Sequence, residues 1–391
     1  MRVMHVQGIF SPEHGGPTHS TTNYCIGQAA RGHEVSLWSL EGYAGTSPAV
    51  RLPSPITTVI HPVGFPAKLG ASRAMRRAMQ AAAVPDIFHL HGAWLLATEY
   101  AAAMAQRSGK PFILELAGTY EPRALNQKWL RKWIARRCFQ DRQIEQAGCL
   151  HLNSEQEATY LRQLGFRTPI AIIPVGVDMR RIAEVVKCNE SKSGWPELDD
   201  RPFFLYLARV HANKGIDLLL DTWGAMQSRY PDWQLAIAGM GMPDYVASCR
   251  QRIASLGLND RVVWIGAVDE SQRSWLYSHA EFYVLPSFSE NFGNTVAEAL
   301  AHATPTVTTR ATPWTDIVAE GCGWIADPTC ESIGGSIESA MNIEDTTRQQ
   351  MGRTGRDLID RQYSLDYVLN AIDSVYDWVR GGSMPACLWR E

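Results

Sequence analysis

From end to end, this chain alternates short apolar runs with stretches of helical periodicity, a pattern that few folds can satisfy. RVMHVQGIF, HEVSLWSL, DIFHLH, PFILELAG and CLHLNS in the first half read as buried strands, as do FFLYLARV, WQLAIAG, VVWIG, FYVLPS and TPTVTT in the second. Such alternation builds parallel sheets wrapped by helices. A chain of 391 residues exceeds one ordinary core, so the pattern predicts an α/β protein with two Rossmann-like domains. The polar, proline-bearing stretch 186–201 separates the halves, giving domains over 1–185 and 202–363, with helices expected at 16–31 and 215–229.

Other classes drop out on composition. With 45% hydrophobic and 20% charged residues, disorder and collagen-like repetition are excluded. The longest apolar runs, such as Phe203 to Ala208, fall far short of the roughly 20 residues of a membrane span. The amino terminus reads as a strand running into a Gly-Pro-rich turn, not as a signal peptide. Eight cysteines occur without a C-x-x-C pair, which supports neither a disulfide framework nor a zinc site and fits a reducing cytoplasm. The first 185 residues carry 20 basic against 13 acidic groups, and the remainder 17 against 27. A balance of +7 beside one of −10 suggests that only one domain faces an anionic surface, the alternative being chance asymmetry. Nucleic acid is not expected as a partner.

Ligands of open parallel sheets sit beyond the carboxyl ends of strands, which selects four segments. In SPEHGGPTHSTTN, Gly15 and Gly16 open a helix whose free amides suit a phosphate, although an ordinary strand-to-helix turn would look the same. After FFLYLA, Arg209 and Lys214 suit a diphosphate and its stabilisation as a leaving group. In FYVLPSFSENFGNTVAEALA, Glu290 lies on a loop and Glu298 in the early turns of a helix. Carboxylates accept from sugar hydroxyls, and the amides around Asn294 and Thr295 donate to phosphate oxygens. An acidic residue early in a helix is also what stability alone selects. In DIFHLHGAW, His89 and His91 share one strand face, and His91 is either a donor to a sugar or a structural histidine.

Taken together and in this order, these segments resemble the nucleotide-sugar glycosyltransferases of the GT-B fold, specifically glycosyltransferase family 4, whose members are retaining. The resemblance runs through the glycine pair after strand one, HLHG, SEQEATYL, IIPVGVD at 172–178, LARVHANKG, the E-x7-E element of Glu290 and Glu298, and YSLDYVLNAIDSVYDWVRG. It implies two domains facing a central cleft that closes on the donor, with helix 364–380 returning to the first domain. It further implies that Arg209 and Lys214 grip the donor diphosphate and that Glu298 binds the ribose. Glu290 with the amides of Phe292, Gly293, Asn294 and Thr295 would hold the transferred sugar, and His91 would contact it. Gly15 and Gly16 would line the cleft near the phosphates. Gly239, Gly241 and Val268 fall where the nucleotide pocket is built. Two departures stand out: Val175 replaces the usual asparagine of I-P-N-G-V-D, and Ala117 stands where some relatives carry an arginine.

The expected activity is metal-independent transfer from a nucleotide-diphosphate sugar to a glycan or lipid-linked oligosaccharide, in surface polysaccharide or lipopolysaccharide biosynthesis, without a cofactor. The alternatives are a non-hydrolysing nucleotide-sugar epimerase and a non-catalytic sugar-nucleotide-binding relative. A nicotinamide-dependent oxidoreductase is disfavoured, because GMGMPDY and both opening turns lack the third glycine of the fingerprint. Finally, residues 124–146 read as one long helix. Trp129 and Trp133 lie on an apolar arc, while Lys128, Lys132 and Arg136 fall mostly opposite, a composition suited to an anionic membrane surface. The same arc would equally serve to pack on the first domain.

Overall fold

A computed structural model describes residues 1–43, 46–188, 195–198 and 201–390. The chain divides into two compact units, residues 1–176 with 365–391, and residues 177–364. Strands of the first are β1 (Arg2–Ile9), β2 (Glu34–Glu41), β3 (Thr57–Pro62), β4 (Ile87–His91), β5 (Phe112–Glu115), β6 (Cys149–Leu152) and β7 (Ile170–Ile172). They form one parallel sheet in the order β3-β2-β1-β4-β5-β6-β7. The second unit contributes β8 (Phe203–Leu207), β9 (Gln234–Ala238), β10 (Val262–Gly266), β11 (Phe282–Leu285), β12 (Thr306–Thr309) and β13 (Gly323–Ala326). Its parallel order is β10-β9-β8-β11-β12-β13. These are two Rossmann-like sheets, each reversing its strand order once, between β1 and β4 and between β8 and β11. A crevice at the carboxyl ends of strands opens at such reversals.

Period-two alternation puts Met4, Val6, Phe88, Leu90, Phe112, Leu114, Leu150 and Leu152 in one core layer of the first unit. The opposite face of that sheet carries Val3, Ile87, Ile113, Cys149 and Ala171. Helices Gly16–Ala30 and Leu365–Val379 cover it with Tyr24, Val368, Leu369, Ile372, Val375 and Tyr376. Each such aliphatic side chain contributes roughly 1.5–3 kcal/mol by burial. At the helix edge Arg31 donates to Asp373 at 3.0 Å.

Two boundaries differ from those read in the sequence. The division falls after residue 176, because helix Met179–Cys188 packs on helix Glu270–His279, where the Arg181 guanidinium pairs with the Glu270 carboxylate. Within the expected linker 186–201, residues 189–194 and 199–200 lie outside the described residues; Trp195 of the remainder sets its ring 6.1 Å from that of Trp275. The expected helix over 124–146 is broken. Helix Pro122–Asn126 ends, Gln127 is extended and Lys128 takes φ 52 before helix Trp129–Ala135 begins. Lys132 reaches back to the Ala124 carbonyl, satisfying the end of the first helix at the cost of a straight path. A π-helical turn over Arg136–Gln140 then leads into helix Asp141–Gln146.

Candidate functional site

In the second unit, the loops after β8 and β11 meet where the strand order reverses. After β8 the chain makes a 3-10 turn over Ala212–Lys214, then helix Ile216–Met226. Gly215 joins them at φ 72, and a Cβ there would lie 2.0 Å from the Pro286 carbonyl oxygen. Only glycine combines that backbone conformation with so close a neighbour. The Phe288 amide donates to the Asn213 carbonyl at 2.9 Å, locking the two loops together.

This lock sets the chemistry of the loops. The Lys214 ammonium is ion-paired with the Glu290 carboxylate, and Ser287 Oγ donates to Glu290 Oε1 at 2.8 Å. Glu290 is largely buried, its side chain 8% exposed. The Arg209 side chain is exposed and makes no ion pair or hydrogen bond among the described residues. A paired lysine and an uncommitted arginine therefore stand at the carboxyl ends of the central strands, where an anion can be received.

The helix after β11 begins close by. Gly293 is the N-cap of Asn294–Ala301 with no capping side chain, so the first amides are not consumed by a side-chain acceptor. Phe292 is buried, and its carbonyl accepts from Trp314 Nε1 at 2.5 Å. The Tyr283 hydroxyl bridges the Leu207 carbonyl and Thr295 Oγ1, tying that helix start to the end of β8. Glu298 faces other partners: Arg273 lies 3.5 Å from its Oε1, and the Tyr277 hydroxyl donates to its Oε2 at 3.2 Å. That carboxylate, in turn, raises the Arg273 guanidinium. Each carboxylate oxygen has two acceptor positions, so one contact apiece leaves room for a diol. A Cβ at Gly241 would fall 2.3 Å from the Val210 carbonyl, so that residue's first task is close packing under the β8 loop. Val268 is half-buried, just before the capping box of Asp269 and Gln272.

In the first unit, Gly15 and Gly16 start a fifteen-residue helix with no side-chain cap and no acid in its first turn. Beside it, Gln7 Oε1 and Ser11 Oγ are buried without a hydrogen-bond partner among the described residues. His91 ends β4 and is almost wholly buried. Its Nδ1 meets Glu115, and its Nε2 lies 2.8 Å from His5 Nδ1.

His5, Gln28, Glu115, His151 and Tyr376 were not picked from the sequence, yet they complete a buried chain of hydrogen bonds. His151 Nε2 lies 3.0 Å from the Ile173 carbonyl, which can only accept. The polarity then propagates. His151 Nδ1 accepts from His89 Nε2 at 3.3 Å, and His89 Nδ1 accepts from the Tyr376 hydroxyl at 2.8 Å. Tyr376 accepts from Gln28 Nε2 at 3.2 Å, and Gln28 Oε1 accepts from His5 Nε2 at 2.7 Å. His5 Nδ1 must therefore accept from His91 Nε2, leaving one proton held between His91 Nδ1 and Glu115. Burial and then the His91 charge push His5 down to about 3, which agrees with its neutral role. Burial alone would raise Glu115, but the surrounding histidines, His151 first and then the hydrogen bond from His91, hold it below the usual carboxylate range.

Ligand atoms of His5, His89 and His91, and those of His89, Glu115 and His151, lie within 4.8 Å of one another. Every imidazole nitrogen among them is already engaged in the chain, so an ion would have to displace those bonds. The signal available in the sequence was polar residues at alternating positions of apolar strands, two each in β1 (His5, Gln7) and β4 (His89, His91) and one each in β5 (Glu115) and β6 (His151).

Of the basic helix residues, Arg136 is turned inward, its Nε 2.9 Å from Asp141 Oδ1. Trp129, Leu130, Trp133 and Ile134 are 46–64% exposed, so this part of the apolar arc does not pack on the unit. No helix among the described residues is long and apolar enough to cross a membrane.

A sequence model described as "Glycosyl transferase 4-like domain" matches residues 15–176, and one described as "Glycosyl transferases group 1" matches residues 189–358. Mannosylfructose-phosphate synthase of Agrobacterium fabrum is 34% identical over 37% of this chain and 33% of its own length. The lipopolysaccharide core biosynthesis mannosyltransferase LpsB of Rhizobium meliloti is 29% identical over 39% and 44%. Those alignments span less than half of each relative. GDP-mannose:cellobiosyl-diphosphopolyprenol alpha-mannosyltransferase of Xanthomonas oryzae aligns over 82% of this chain and 81% of its own, at 24% identity. Among solved structures, sucrose-phosphate synthase from Thermosynechococcus elongatus superposes with a TM-score of 0.76 at 19% identity, covering 98% of this chain and all of that one. Anabaena HepE in complex with UDP and glucose gives 0.73 at 16% identity over 95% and 98%. Likenesses at these identities concern the fold.

Proposed function

The chain belongs to the glycosyltransferases of the GT-B class that pair a 4-like domain with a group 1 domain, and from that premise we propose that it moves a sugar, with retention, from a nucleotide-diphosphate sugar to a glycan or lipid-linked acceptor. The observation that carries this reading is the Lys214–Glu290 pair, with Arg209 uncommitted nearby, at the reversal between β8 and β11. In this assignment Arg209 and Lys214 hold the donor diphosphate together with the first amides of helix Asn294–Ala301. Glu290 accepts from hydroxyls of the transferred sugar, and Glu298 from the ribose. The anomeric carbon–phosphate oxygen bond breaks as the acceptor oxygen bonds to the same face, and the acceptor's proton passes to a phosphate oxygen. The protein supplies the charge stabilisation without a metal, roughly 3 kcal/mol of barrier for each preorganised donor.

His91, in the first unit, is assigned the orientation of the sugar. Since both its nitrogens are engaged, it can donate to a substrate only by releasing His5 or Glu115. Several relatives and structural neighbours carry phosphate or diphosphate in the names of what they make or use, and one neighbour is a complex with UDP and glucose. We take a donor of that kind, and a phosphate-bearing acceptor, as the first to test. The exposed tryptophans Trp129 and Trp133 support peripheral attachment to a membrane surface.

The test is nucleotide release from UDP-, GDP-, ADP- and TDP-sugars, with and without candidate acceptors, in wild type and Lys214→Ala. Acceptor-dependent release that falls about 10²- to 10³-fold in the variant is expected. Conversion of the donor to an epimer with no acceptor present would replace this reading with an isomerase.

A further inference from the structure

The first unit holds a cavity of about 150 Å³ in which four cationic residues, presenting much of their apolar stems, stand beside three apolar ones, Leu69, Trp94 and Ala135. Lys68, Lys128, Arg131 and Lys132 line it, with Trp94 and Leu69. That volume is roughly ten times the ~10–15 Å³ one water needs, so a phosphoryl group fits. None of the four cations has a carboxylate partner among the described residues; Arg131 reaches only the Lys68 carbonyl, at 3.5 Å, and Lys132 the Ala124 carbonyl.

Like charges gathered without counter-charge repel one another, and a free chain would spread them. Here the fold holds them together. Lys128 sits at φ 52, a left-handed position uncommon for a lysine, at the break between two helices. Trp94 is likewise at φ 72, its amide held by Gln140 Oε1 at 2.8 Å. Lys132 lies 5.5 Å above the Trp94 ring. The indole N–H of Trp94 is buried with no acceptor among the described residues. Four positive groups exceed what a single carboxylate could balance and match a group bearing two or more negative charges.

We propose that this pocket binds the phosphate or diphosphate group of the acceptor, separately from the donor diphosphate assigned to the second unit. Calling the occupant the acceptor rests on the glycosyltransferase reading; the oxyanion site itself does not. The exposed Trp129, Leu130, Trp133 and Ile134 on the same helix offer an apolar surface to a prenyl chain leaving that diphosphate. A soluble sugar phosphate would use the cations alone.

Calorimetric titration of the full chain with inorganic pyrophosphate, glucose 6-phosphate and geranyl diphosphate separates these cases. Lys68→Gln with Arg131→Gln alters exposed positions, and folding is checked by circular dichroism. The double variant is expected to weaken pyrophosphate at one class of site by at least about tenfold, while Lys214→Gln spares that class. Tighter binding of geranyl diphosphate than of pyrophosphate identifies a lipid-linked source; equal or better binding of glucose 6-phosphate identifies a soluble one. Unchanged pyrophosphate binding in the double variant overturns the proposal. So does a variant that loses only its attachment to vesicles of phosphatidylglycerol and phosphatidylcholine, because the cations then serve a membrane surface. Should the double variant lose pyrophosphate while no nucleotide sugar is ever turned over, the pocket stands and the transferase reading falls.

Discussion

Lowering the pH from 7 to 5 should loosen the first unit, because its buried imidazoles must either gain protons in place or be released by unfolding. His5 is fully buried and pushed down to about 3 from 6.5, first by that burial and then by the His91 charge. Between those values the unfolded chain binds a proton at residue 5 that the folded chain lacks. Stability from this group is thus fully present above about pH 6.5 and is lost as the pH falls towards 3. At pH 5 the loss is RT ln(1 + 10^1.5), about 2 kcal/mol. His89 and His151 are lowered too, again mainly by burial, and act in the same direction. Glu115, held low by its histidine neighbours against the effect of burial, keeps its contribution down to about pH 4.5 and loses it only below that, so it adds nothing to the decline between pH 7 and 5. Against a domain stability of ~5–15 kcal/mol the combined effect is large. Urea unfolding at pH 7, 6 and 5, read by peptide-resolved hydrogen exchange, follows each unit separately. His5→Gln should start less stable at pH 7, since it interrupts the hydrogen-bond chain, yet its decline to pH 5 should be shallower by about 2 kcal/mol. Identical declines in the two proteins would refute the assignment of a neutral, buried His5.

Two further outcomes are expected elsewhere. Gly215→Ala places a Cβ 2.0 Å from the Pro286 carbonyl at φ 72; the loops after β8 and β11 must separate, costing at least about 1–3 kcal/mol in the second unit's urea midpoint and reducing nucleotide binding. A variant with both values intact would show that the loops are not locked. Glu157, buried beneath the strained Ala117–Gly118 turn, is pushed up to about 8 mainly by burial, against the hydrogen bonds it accepts from the Gly118 and Asn153 amides. Its folded state holds the proton more tightly, so its stabilisation is complete below about pH 4.5 and lost as the pH rises through 8. Glu157→Gln should remove that alkaline decline, as thermal melts from pH 5 to 9 would record; an unaltered decline would place its cause elsewhere.

The strands, their alternation and the residues just beyond their carboxyl ends are local properties. Residue type and spacing were therefore enough to predict two Rossmann-like sheets and to select Arg209, Lys214, Glu290 and His91. Partnership is a different matter. His5, His89, Glu115 and His151 become neighbours only because β1, β4, β5 and β6 lie side by side in parallel register. Tyr376, 287 residues from His89, joins them only when the last helix closes over that face. Lys68 likewise reaches the 128–132 cluster across about 60 residues of sequence. The same holds for residues 124–146: periodicity describes an amphipathic helix, but the left-handed turn at Lys128 and the inward pairing of Arg136 with Asp141 arise from packing. Sequence fixes which side chains can point one way along an element; strand order and helix docking decide what they meet, because those depend on burying whole faces at once.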